Sequence, residues 1–260
     1  MHARVLGIAQ DAGVPHIGCR CARCEFFRGR PLHPSCLGLV GRSGWMIDAT
    51  PAIGKQLRLL RAPLSGIALT HVHMGHIAGL LQLGPEALGV RGLRLIATPR
   101  VGEFLRSNAP WRLLVERGHV VLDLHQPGAR VQLEPGLEIE SLKVPHRDEY
   151  ADTVAYFVRG PERTLLYLPD IDRWTIDLSA LLARCDLALL DGTFWARDEI
   201  AHQGEVPHPA VEETLDLLSP EEAAKVRFIH LNHTNRLLDP DGPRALIAVQ
   251  GERIPLNKGV

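Results

Sequence analysis

The chain has 260 residues, 45% of them hydrophobic and 23% charged, with a formal net charge of −1. That length allows one large domain with a substantial core, and the charge balance excludes the strong basic field of a nucleic-acid or anionic-membrane binder. No apolar run approaches the roughly 18 residues of a membrane-spanning helix and no signal peptide is visible, so a cytoplasmic protein is expected.

In chain order, "RVLGIA" reads as a first strand that runs into a glycine-bearing loop at Asp11. The loop contains "CRCARC", with Cys19, Cys21 and Cys24 together. Cytoplasmic thiols stay reduced, so this cluster points to metal before disulfides. Its spacing suits a tetrahedral zinc with three sulfur ligands and a fourth ligand from elsewhere, and His233 is the best candidate for the fourth. Such a closed Cys3His site would be structural and would contribute to folding. Cys36 and Cys185 are isolated and read as small buried apolar residues.

"LGLVG" and "GWMIDAT" read as strands joined by a hairpin turn at "VGRSGW", with a helix expected from Pro51 to Arg61. "GIALT" is a short buried strand, and "HVHMGHIAGLLQL" follows it directly. Helical spacing of Ile77, Leu80 and Leu81 predicts a helix from Gly75 to Leu83. His71, His73 and His76 therefore leave a strand end, where α/β proteins place functional groups. Residues two apart in an extended segment point the same way, so His71 and His73 can grip one ion from one side.

"LRLIAT", a helix from Pro99 to Ser107, "HVVLDL", "LEIESLKV", "TVAYFV", "TLLYLP", a helix from Leu178 to Arg184, "DLALLD", a helix from Pro209 to Leu218 and "RFIHL" continue the alternation. The class is α/β, with periodicity leaving open two packed sheets or one doubly wound sheet. His146, Asp170 and His230 each lie just past one of these strands. Asp11, Asp48 and Asp191 sit where they would orient metal histidines, and His208, before a helix, is a candidate proton donor at the mouth of the site.

HxHxxH after a strand, followed in order by His146, Asp170 and His230, resembles the metallo-β-lactamase superfamily. The resemblance implies a four-layer αββα sandwich formed by one domain over residues 1–260, with the zinc loop at about 10–36. It implies one ion on His71, His73 and His146, a second on His76 and His230, and Asp170 bridging the two. The usual carboxylate before the last histidine of the run is replaced by Gly75, so a weaker second position is expected. "GIAQDAGVPHIGCRCARC", "LLDGTFWARDEI" and "FIHLNHTN" resemble the branch that contains the pyrroloquinoline quinone biosynthesis protein B, and the added cysteine site also resembles a phosphodiesterase of phosphonate breakdown.

The expected activity is metal-dependent hydrolysis of a small ester, lactone or phosphodiester, with Asp170 holding the water and His208 protonating the leaving group. The expected cofactors are a structural Zn2+ and one or two active-site ions, either Zn2+ or, alternatively, Fe or Mn. The resemblance also leaves open an iron-dependent oxygenase or hydroxylase of quinone cofactor biosynthesis, and a non-catalytic small-molecule carrier. The expected partner is a small-molecule substrate, with no nucleic acid and no membrane, and a homodimer is compatible.

Overall fold

A computed structural model describes residues 1–257 of the chain. The first strands are β1 (His2–Gly7), β2 (Cys36–Val40), β3 (Gly44–Ile47), β4 (Leu64–Ala68), β5 (Leu93–Ala97) and β6 (Val120–Leu124). The chain then builds β7 (Arg130–Glu134), β8 (Leu137–Val144), β9 (Thr153–Arg159), β10 (Thr164–Leu168), β11 (Leu187–Asp191) and β12 (Val226–Ile229) before β13 (Arg253–Pro255) returns to pair with β1. They form a seven-stranded sheet in the order β13-β1-β2-β3-β4-β5-β6 and a six-stranded sheet in the order β12-β11-β10-β9-β8-β7.

Each sheet has an antiparallel part and a parallel part. The β1-β2-β3 meander is antiparallel, and the "VGRSGW" hairpin pairs Val40 with Gly44. From β3 through β6 the pairing is parallel. The second sheet mirrors this: β7-β8-β9-β10 is antiparallel and β10-β11-β12 parallel.

Alternation along the strands fixes the layers, because successive side chains face opposite sides of a sheet. Val5, Trp45, Ile47, Ala68 and Ile96 join the core shared with Phe157, Leu166 and Leu190 of the second sheet. Their neighbours Leu6, Met46, Ile67, Leu69 and Leu95 face the other way, into a second cluster with Ile53, Leu60, Val101, Leu105 and Leu114. These last residues belong to the helices Ile53–Leu60, Pro99–Ser107 and Ala109–Glu116. Leu178, Leu181, Leu182 and Val211, from the helices Leu178–Leu182 and Val211–Asp216, cover the second sheet. The result is the αββα sandwich.

The helices deviate from the sequence pattern mainly at their ends. Pro99–Ser107 has the expected bounds, with Thr98 accepting a hydrogen bond from the Val101 amide as N-cap. After the histidine run, only Met74–Ile77 is α-helical and Ala78–Leu83 is a 3-10 helix. Close packing against the backbone explains the tightening: a Cβ on Gly79 would stand 2.1 Å from the Thr50 carbonyl oxygen. Ala109–Glu116 was not expected, since its short apolar stretch carries too few turns to show a period. Among the described residues, no helix is long and apolar enough to cross a membrane.

Candidate metal centre

The parallel parts of both sheets end at the same edge. Asp48 follows β3, and His71, His73 and His76 follow β4. Asp170 follows β10, Asp191 closes β11, His230 follows β12, and His146 leaves β8. The topology thus gathers residues up to 182 positions apart in number, from Asp48 to His230, at one rim. Asp48 (φ 72°) and His230 (φ 60°) adopt left-handed backbone conformations there, a strain typical of residues whose side chains must be aimed.

Three ring nitrogens converge first. His71 Nε2 lies 3.0 Å from His73 Nδ1, and His146 Nε2 lies 3.2 Å from the same atom. Burial, reinforced by the neighbouring histidines, holds the His71 pKa well below the ordinary range and lowers that of His73 to about 4. Both rings are therefore neutral near pH 7, with lone pairs available to a cation. The opposite ring atoms are fixed. His71 Nδ1 pairs with Thr70 Oγ1 at 2.9 Å, and His146 Nδ1 pairs with Asp172 Oδ1 at 2.9 Å. Fixing one ring nitrogen sets the tautomer at the other, as in metal sites generally.

The second group is acidic. His76 Nε2 lies 3.2 Å from Asp170 Oδ2 and 3.4 Å from Asp11 Oδ1; His230 Nε2 lies 3.4 Å from Asp170 Oδ1 and 3.5 Å from Asp11 Oδ1. Asp170 Oδ1 is also 3.6 Å from His146 Nε2, so this carboxylate stands between the two groups. Asp48 Oδ2 accepts from His76 Nδ1 at 2.8 Å, while Asp48 Oδ1 accepts from the Thr70 amide and hydroxyl. Burial alone would lower the His76 pKa, but the Asp48 and Asp170 carboxylates raise it well above its usual value. A proton there and a divalent ion answer the same demand for positive charge.

His208 takes a different place from the one expected. Its side chain is fully buried and lies at the floor of the site, its ring centroid 5.6 Å from those of both His146 and His230. Asp191 Oδ2 accepts from His208 Nδ1 at 2.6 Å, and Asp191 Oδ1 accepts from the Thr193 amide and hydroxyl. Thr193 Oγ1 in turn pairs with His230 Nδ1 at 2.8 Å. Burial opposes a charge on His208, but Asp191 overcomes it and raises the pKa above the ordinary value.

Among the described residues, His208 Nε2, His230 Nε2 and Asp170 Oδ2 are buried side-chain atoms without a hydrogen-bond partner. Orphaned polar atoms are costly in a protein interior. Here all three belong to residues whose ligand atoms cluster within 4.8 Å in overlapping sets: His71–His73–His146, His71–His76–Asp170, Asp11–His76–His230 and Asp170–His208–His230. Cation binding removes the cost, so the residues present fit metal ions. The rim opens where His73 and Asp11 remain partly exposed, their side chains 15% and 45% accessible.

The cysteine group is a separate cluster. His233 Nδ1 lies 3.6 Å from Cys19 Sγ, 3.7 Å from Cys21 Sγ and 3.6 Å from Cys24 Sγ. A tetrahedral zinc with Zn–S of about 2.3 Å and Zn–N of about 2.1 Å has S···N edges of about 3.6 Å, so these residues fit that ion closely. The His16 amide donates to Cys24 Sγ at 3.3 Å and the Cys21 amide to Cys19 Sγ at 3.4 Å. Arg23, beside Cys24, pairs with Asp239 at 2.5 Å and donates to the Thr234 carbonyl, tying the loop to the segment that carries His233.

The structure thus brings together every histidine and aspartate singled out from the sequence, and separately the three cysteines with His233. It corrects two placements, that of His208 and that of Asp11. Asp11, expected to orient a histidine, lies instead against the ring nitrogens facing the rim. Thr70, Asp172 and Thr193 were missed. Asp172 had a weak signal at most, a second carboxylate two residues beyond Asp170 after the same strand.

Residues 45–231 match the family model described as the β-lactamase superfamily domain. A protein named coenzyme PQQ synthesis protein B from Methylobacterium radiotolerans is 30% identical over an alignment covering 94% of this chain and 93% of that protein. Its namesake from Methylococcus capsulatus is 29% identical with the same coverage. The chain belongs to the metallo-β-lactamase superfamily, in a branch resembling coenzyme PQQ synthesis protein B. The crystal structure of zinc-bound PqqB from Methylobacterium extorquens superposes with a TM-score of 0.84 at 23% identity, covering 98% of this chain and all of that one. A diphosphatase of the PhnP family superposes with a TM-score of 0.73 at 22% identity, over 98% and 97% of the two chains.

Proposed function

We propose that the protein is a metal-dependent hydrolase acting on a small anionic ester, with a phosphodiester as the leading class. His71, His73 and His146 would hold one ion, His76 and His230 a second, and Asp170 both. Bound there, the ions would lower the pKa of a water towards neutrality and polarise a phosphoryl or carbonyl oxygen. The observation that carries this reading is the set of orphaned nitrogens and oxygens meeting at a buried point with one open side.

The remaining chemistry falls to the chain itself. Asp170 would orient the nucleophilic water. His208, held at Nδ1 by Asp191, presents Nε2 to the same point and can return a proton to the leaving group from within the site. A cavity of about 620 Å³ beside Asp11 is lined in part by Lys55 and Arg58, exposed cations that would attract an anionic substrate towards the rim.

The test is turnover of bis(p-nitrophenyl) phosphate, an aryl ester and a lactone by protein loaded separately with zinc, manganese or iron. The reading predicts diester hydrolysis that chelation abolishes and metal restores. Failure to turn over all three esters under every metal would refute it. A second reading, iron-dependent oxygenation of a small precursor, is the alternative that the resemblance to coenzyme PQQ synthesis protein B, matched over 94% of the chain, leaves open. Oxygen consumption by the iron form without ester hydrolysis would select that reading.

A further inference from the structure

The acidic group contains a carboxylate from an unexpected part of the chain. In the histidine run the residue before His76 is Gly75, which has no side chain to offer. A Cβ built on Gly75 would stand 2.0 Å from Asp11 Oδ1, 2.3 Å from Asp11 Cγ and 2.7 Å from Asp11 Cβ. The Asp11 carboxylate therefore occupies the space into which a side chain at position 75 would project. Any residue but glycine at 75 would displace it.

Asp11 is also at ligand distance from its partners. Four ligand atoms around one ion at about 2.0–2.1 Å in tetrahedral geometry lie about 3.3–3.4 Å apart. The contacts of Asp11 Oδ1 and of the two Asp170 oxygens with His76 Nε2 and His230 Nε2 run from 3.2 to 3.5 Å. The loop that carries Asp11 is held in place next to it. The Gln10 amide donates to the Leu231 carbonyl at 2.9 Å, the Leu231 amide donates to the Ile8 carbonyl at 2.8 Å, and Asn232 donates to the Gln10 side chain. Asp11 and His230 therefore stand on two segments bonded to each other.

We infer that Asp11 is a direct ligand of the second ion, together with His76, His230 and Asp170, and that it supplies from the first loop the negative charge that position 75 lacks. The second position then draws on four residues, of which Asp11, His76 and His230 bring ligand atoms within 4.8 Å of one another. This inference rests on the proposed hydrolytic metal centre, and its test separates the two.

The experiment titrates Mn2+ into full-length protein freed of active-site metal, with zinc retained in the cysteine site checked by elemental analysis. Binding is followed by calorimetry and by electron paramagnetic resonance, which distinguishes a spin-coupled pair from an isolated ion. Wild type should take two equivalents and give the coupled spectrum. Asp11→Asn should keep the first equivalent, bind the second on the order of 10–100-fold more weakly, and show the isolated-ion spectrum. Asp11→Gly combined with Gly75→Asp should recover the second equivalent; if that variant does not fold by circular dichroism, Asp11→Asn decides alone. Unchanged affinity for the second equivalent in Asp11→Asn overturns the inference and leaves the metal centre standing. A wild type that takes one equivalent does the same, and a wild type that takes none overturns both.

Discussion

The cysteine cluster and the histidine–aspartate cluster are assembled from ligand atoms at similar spacings, yet they are built in opposite ways. Cys19, Cys21 and Cys24 come from six consecutive residues, leave Cys21 exposed and Cys24 buried, and surround one nitrogen at nearly equal distances. Four ligands close that site. The other cluster draws on the ends of strands in both sheets, lies deep in the rim, and has more ligand atoms than one ion can use. Five of its six rings are also held at the far nitrogen, by Thr70, Asp48, Asp172, Asp191 and Thr193. The comparison separates a staple from a workplace: the first needs closure, the second needs fixed orientation and an open side.

The sharpest way to break the comparison is His71→Ala. It should leave the cysteine-bound ion in place, about one per chain, while the first rim position loses its ion and diester turnover falls on the order of 1,000-fold or more. Elemental analysis beside a rate assay reads both, and equal metal in wild type and variant would contradict the assignment. Cys24→Ser should do the reverse in kind. It should release the cysteine-bound zinc and cost several kcal/mol, lowering the melting temperature by about 10 °C. A thermal melt with and without added zinc checks this; a variant as stable as wild type would mean that the cluster staples nothing.

Asp172→Asn probes orientation alone. Relaxing the His146 ring should weaken metal binding at the first position by roughly 10–100-fold, with little change in the melting temperature. A chelator competition experiment is the measurement. The smallest effect belongs to Tyr156→Phe, which removes the hydrogen bond of 2.8 Å from the tyrosine hydroxyl to the Leu69 carbonyl, two residues before His71. It should cost about 1 kcal/mol in chemical denaturation and leave metal content unchanged. A loss of metal there would show that the rim depends on the core more tightly than the comparison holds.

The same contrast explains what could be read from the sequence. CxCxxC announces its chemistry locally, because the ligands are neighbours in the chain. His71, His73 and His76 were legible for the same reason, and the strand ends exposed His146, Asp170 and His230 once the alternating apolar runs were marked. Thr70 and Thr193 were not legible, because a hydroxyl beside a histidine is common and only the fold turns its oxygen onto a ring nitrogen. The role of Asp11 lay beyond the sequence, since nothing in "AQDAG" says that it meets a glycine 64 positions later. Helix lengths were blurred because the turns after the histidine run are tightened by tertiary packing, which overrides local propensity.

The fit between Gly75 and Asp11 also constrains how such a protein can change over generations. An aspartate arriving at 75 would strike the one already standing at that spot, and losing Asp11 first would leave the pocket short of an acid. Neither single step is neutral, so the two positions are expected to drift as a pair or not at all.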